Sequence, residues 1–129
     1  MLDTHVLVRW LAEPKKLSRH PTRVLDEAVR RGEQVALSAV TLLKLAILLT
    51  GDRPRIHANS GDLLSELASN PAFRILPLTI EVAAEVVLLG LVLRVPAERA
   101  IVATARVHRL CLLTSDQRVI ESKLVSVIE

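Results

Sequence analysis

The chain has 129 residues, half of them apolar and 24% charged, with a formal charge of +3. A chain of this length and hydrophobicity buries one domain-sized core, and the composition excludes intrinsic disorder. With one Trp, one Phe and no Tyr, an aromatic platform for stacking single-stranded nucleic acid is excluded as well. The core must come from Leu, Val, Ile and Ala. Arg outnumbers Lys thirteen to four, which suits a polyanionic ligand without demanding one. The single Cys111, inside the run LCLLT, forms neither an internal disulfide nor a thiolate metal cluster and fits a reducing compartment. The apolar run from Val86 to Leu93 is too short to span a membrane, and Asp3 and His5 stand where a signal peptide needs a basic start and an apolar stretch. The expectation is a soluble, cytoplasmic protein.

In chain order, Met1 and Leu2 precede the polar group Asp3-Thr4-His5. If LDTH closes the first strand, only two residues remain to build it, against about five for an ordinary strand. Either that strand is truncated or the chain begins upstream of Met1. Pro21 to Arg31 reads as a helix with Val24, Leu25, Ala28 and Val29 on one face and Gly32 as its stop. Val35 to Ser38 is a short buried strand, and Ser38 caps a helix running to about Thr50. Ser60 to Ser69 is a helix with Leu63, Leu64 and Leu67 as its stripe. Phe73 to Leu78 is strand-like, and Thr79 caps a helix to about Leu91. Pro96 opens a helix through His108. Leu110 to Thr114 reads as a fully buried strand, and Val125 to Ile128 as the last one.

No repeat or linker divides residues 1–129, so they read as one domain. Strands alternating with helices predict an α/β fold with a mainly parallel sheet covered on both faces. Ligands of such sheets sit beyond the carboxyl ends of the strands. The polar groups there are Asp3-Thr4-His5, the Thr114-Ser115-Asp116 run, Glu98 near the start of its helix, and Lys44 in the helix after Ser38. Converging carboxylates make an oxygen-rich site of the kind Mg²⁺ or Mn²⁺ takes. Each residue also has a plainer role. Asp3 and Asp116 suit helix caps, Glu98 suits a helix dipole, Thr114 suits a turn, and Lys44 among leucines suits a snorkelling side chain. Arg53, Arg55 and His57 form a basic loop that reads equally as an RNA phosphate contact and as a solvated loop. His5 reads as a packed or hydrogen-bonded residue rather than a base. The apolar surplus of Leu42 to Leu49 and Val86 to Leu93 points to a second subunit.

The segments MLDTHVLVRWLAEPKKLS, LSAVTLLKLAILLTG, VPAERAIVATARVHRLCLLTSD and the terminal VSVI together resemble the VapC-type PIN-domain family over nearly the whole chain. The resemblance implies a three-layer α/β/α fold, metal-dependent endonucleolytic cleavage of RNA, a toxin–antitoxin pairing and a homodimer. It also implies four acidic residues around Mg²⁺ or Mn²⁺. Asp3 and Asp116 match the first and fourth, and Glu98 stands where the third is usually Asp, with Val95 replacing a preceding Asp. Lys44 stands at the second, in SAVTLLKLA. Thr4 and Thr114, whose hydroxyls orient carboxylates or water, are kept.

Lys44 is the departure that matters. A unit positive charge at ~4 Å from a divalent ion costs roughly 8 kcal/mol at an effective dielectric of about 20. Two expectations follow. One is a metal-dependent ribonuclease weakened at its metal site. The other is a metal-free module that binds RNA or a protein partner, with the Lys44 ammonium among Asp3, Glu98 and Asp116 in place of the ion.

Overall fold

A computed structural model describes residues 1–50 and 60–129 of the chain. Helix α1 (Thr4–Ala12) leads through a short 3₁₀ turn to α2 (Arg19–Arg30), β1 (Val35–Ser38) and α3 (Ala39–Leu49). Then come α4 (Ser60–Ser69), β2 (Phe73–Leu76), α5 (Ile80–Leu89), α6 (Pro96–Val107), β3 (Leu112–Leu113), α7 (Gln117–Ser122) and β4 (Val127–Ile128). β1 pairs with β2 and β3 with β4, both in parallel.

The amino-terminal residues join the two pairs into one layer. Leu2 bridges Leu113 in parallel, its N–H donates to the Ala36 carbonyl, and the Asp3 N–H donates to the Leu113 carbonyl. The sheet therefore runs β2, β1, residues 1–3, β3, β4. Ahead of Asp3, this layer contributes a single central bridge at Leu2. Strand alternation sends neighbouring side chains to opposite faces. Leu2, Val35, Leu37, Phe73 and Leu113 pack one core with α1 to α4, while Met1, Ala36, Leu76 and Leu112 pack the other with α5, α6 and α7. The result is the expected three-layer α/β/α fold with parallel strands.

Local sequence explains the helix starts. The Ser38 and Thr79 hydroxyls accept N–H groups at the first turns of α3 and α5, and Pro96 opens α6 where its missing N–H costs nothing. α5 ends at Leu89 because Gly90 adopts φ 63°, ψ −141°, a conformation that side chains resist.

Several sequence expectations need correction. β2 stops at Leu76, since Pro77 lacks a ladder donor. Leu110 to Thr114 is not buried throughout: Cys111 is exposed and only Leu112 to Thr114 are enclosed. Leu64 is exposed rather than part of the α4 core stripe. The sequence pattern predicts neither α1 nor α7, and α2 begins two residues before Pro21. Arg53, Arg55 and His57 lie outside the described residues. No described helix is long and apolar enough to cross a membrane.

Candidate functional site

The carboxyl ends of the central strands place Asp3, Thr114 and Asp116 side by side. Asp3 is the N-cap of α1, and its Oδ1 accepts the Thr4 N–H at 2.7 Å. Its Oδ2 accepts the Thr114 hydroxyl at 2.7 Å, across a sequence separation of 111 residues. The same hydroxyl oxygen accepts the Asp116 N–H at 3.0 Å. One buried threonine thus holds both ends of the site in register. Thr4 turns its hydroxyl toward that of Thr41 on α3, at 3.5 Å. Lys44 lies one turn beyond Thr41 on α3, and residues three apart share a helix face.

His5 closes one side. Its Nε2 accepts the Ser115 N–H at 3.1 Å and lies 2.9 Å from the Ser115 hydroxyl. Nδ1 then carries the proton and faces Asp3 Oδ2 at 3.5 Å. Burial pushes the imidazole below its ordinary pKa, against the opposing pull of Asp3, so the ring is neutral at neutral pH. The expectation of a hydrogen-bonded rather than basic His5 matches this arrangement.

Glu98, in the first turn of α6, is buried at 7% exposure. Burial raises its carboxyl above the usual range and the Asp116 charge adds to that, while Arg118 and Lys44 oppose it. Arg118 is the cation between the two acids. Its Nη2 donates to Glu98 Oε1 at 2.5 Å and to Asp116 Oδ2 at 2.9 Å, and its Nε donates to Asp116 Oδ1 at 3.2 Å. The Arg118 N–H also donates to Asp116 Oδ1, capping α7. Hydrogen bonding from the Arg118 side chain is the main reason the Asp116 carboxyl sits below its ordinary pKa.

The structure therefore brings Asp3, Thr4, Glu98, Thr114 and Asp116 together, as the sequence suggested. Lys44 is half-buried, and its charge acts on His5 and Glu98. It makes no ion pair with the three acids, and the cation that pairs with Glu98 and Asp116 is instead Arg118. Arg118, Thr41 and Ser115 were missed. The only sequence signal for Arg118 was its position two residues after the capping Asp116, which lets a side chain fold back on its own cap.

All three acids are hard oxygen donors, the right chemistry for Mg²⁺ or Mn²⁺. Their arrangement does not fit such an ion. Both Asp3 oxygens accept protein donors, both Asp116 oxygens are gripped by Arg118, and Lys44 adds a second positive charge. Among the described residues, no group of three or more His, Cys, Asp or Glu side chains is arranged to hold a metal.

The family model of the PIN domain matches residues 1–123. The chain is 33% identical over 119 residues to Ribonuclease VapC22 of Mycobacterium tuberculosis, covering 92% of this chain and 87% of that protein. Among solved structures, VapBC2 from Rickettsia felis bound to a promoter DNA fragment superposes with a TM-score of 0.75 at 14% identity, covering 99% and 96% of the two chains. That likeness shows the fold. FitAcB from Neisseria gonorrhoeae superposes with a TM-score of 0.65 at 27% identity, over 99% and 95%.

Proposed function

Because this chain belongs to the PIN-domain family, we propose that it is the toxin of a VapC-type toxin–antitoxin pair, a ribonuclease acting on RNA phosphodiesters. The reading rests on one observation: Asp3 and Asp116, locked together through Thr114, face a crevice shared with Glu98 at the strand ends. VapC-type PIN ribonucleases are in general dependent on a divalent metal. In relatives Mg²⁺ or Mn²⁺ supplies a held water and charge stabilisation, but the acids here do not fit such an ion. What this chain's own residues supply is position. The Thr114 hydroxyl and the Thr4 N–H fix the Asp3 carboxylate, neutral His5 braces the loop carrying Asp116, and Lys44 puts a positive charge where a phosphate approaches.

The test is incubation of the pure protein with structured and unstructured RNA, with MgCl₂ or MnCl₂ added, beside an Asp3→Asn control. Cleavage abolished by Asp3→Asn supports a ribonuclease. A second reading, a module that binds RNA or a protein partner without cleaving, is favoured by the Arg118 pairing and by Lys44. It predicts retention of RNA or partner with no cleavage under the same conditions.

The antitoxin partner follows from the same reading, since the neighbouring structures include toxin–antitoxin complexes. The homodimer is supported by a charge-free stripe. Ile80, Ala83, Ala84, Val87 and Leu88 are all exposed at the spacing of one helix face, and Leu91 just beyond the helix end is exposed too. A patch without charge suits contact with its own copy about a two-fold axis. Sedimentation velocity should give a dimer that Val87→Arg converts to monomer.

A further inference from the structure

We infer that Arg118 is the resident cation of the acidic crevice, its guanidinium standing where a bound divalent ion would balance Glu98 and Asp116. The pairing is more than a surface contact. The Glu98 side chain is 8% exposed and that of Asp116 20%, whereas Arg118 is 65% exposed. The guanidinium therefore lies over the crevice from the solvent side. Two buried or half-buried carboxylates facing each other require a positive charge between them, whether carried by the chain or by an ion.

Arg118 is built for that place. Its backbone N–H is fixed by the Asp116 cap, which leaves the side chain only a short fold back to reach the same carboxylate. Nε and Nη2 then engage both Asp116 oxygens, and Nη2 reaches across to Glu98. That planar two-pronged grip is available to arginine and not to lysine. Lys44 approaches from α3 and pulls on Glu98 as well. Asp3, Glu98 and Asp116 contribute three negative charges against two positive ones, so the crevice is near neutral without an ion. A divalent ion enters only by displacing Arg118 and tolerating Lys44.

Calorimetric titration of MnCl₂ into the full chain, without RNA, tests this separately from RNA cleavage, and melting with MnCl₂ or EDTA gives a second readout. The native protein is expected to show no binding at micromolar Mn²⁺ and no shift in Tm. Arg118→Ala should bind Mn²⁺ at least about tenfold more tightly and melt higher with Mn²⁺ than with EDTA. Adding Lys44→Glu should tighten binding at least about tenfold again. Arg118→Lys should fall nearer the native protein. If Arg118→Ala does not fold, Arg118→Gln, which keeps part of the aliphatic stem and loses the charge, is read in the same way. Micromolar Mn²⁺ binding by the native chain overturns the assignment. So does an Mn²⁺ affinity unchanged on removing Arg118.

Discussion

Thr114→Val probes the joint on which the site depends. The Thr114 hydroxyl donates to Asp3 Oδ2 at 2.7 Å and accepts the Asp116 N–H at 3.0 Å, in a side chain only 1% exposed. Valine has nearly the same shape, so packing is kept and the change isolates hydrogen bonding. Losing a bond to a charged carboxylate costs about 1.5–3 kcal/mol, and leaving the Asp116 N–H without its acceptor adds about 1 kcal/mol or more. The sum is roughly 2.5–4 kcal/mol, a large share of the stability of a protein of this size. In urea, with a slope near 1.5 kcal/mol per molar, the midpoint should fall by about 2 M at unchanged slope. Thr114→Ser keeps the hydroxyl and should lose only about 1 kcal/mol. In an Asp3→Asn background the Thr114→Val cost should shrink by at least about 1 kcal/mol, because the two residues are in direct contact. A Thr114→Val loss below about 1 kcal/mol, or a serine variant as weak as the valine one, would refute the reasoning.

Gly90→Ala should destabilise the protein by about 1–3 kcal/mol, read by urea unfolding, because Gly90 holds φ 63° and ψ −141° while no neighbouring atom would touch the added methyl. Cys111 is exposed, so a thiol reagent should label the native protein at once, and protection until unfolding would contradict the structure. Stability should fall on acidification below the ordinary histidine range near 6.5. The folded His5 pKa is lowered, so the unfolded chain takes up its proton first and folding loses free energy as pH drops. His5→Gln should remove that part of the pH dependence of the urea midpoint.

Much of the fold was readable along the chain because helix starts are local events. Ser38, Thr79 and Pro96 announced α3, α5 and α6 through the bonds their own side chains make or omit. Helices α1 and α7 escaped because they begin straight after the strand-end acids, whose side chains serve at once as caps and as site groups. Strand ends also shifted, since the ladder at Leu112–Leu113 ends where partners run out rather than where apolar sequence does.

The sequence by itself determined a mainly parallel sheet covered on both faces and the set of acids at its strand ends, since periodicity, caps and residue type are written locally. It also exposed Lys44 as the charge that does not belong in an all-acidic site. Only the tertiary structure decided what those charges do. Bringing Asp3 against Thr114, and Glu98 against Arg118, closes loops of 111 and 20 residues, and the partner of a charge is set by that closure rather than by its neighbours in sequence. The cation that balances the crevice is Arg118, because a side chain folding back on its own helix cap reaches both acids while Lys44, one turn along α3, pairs with neither.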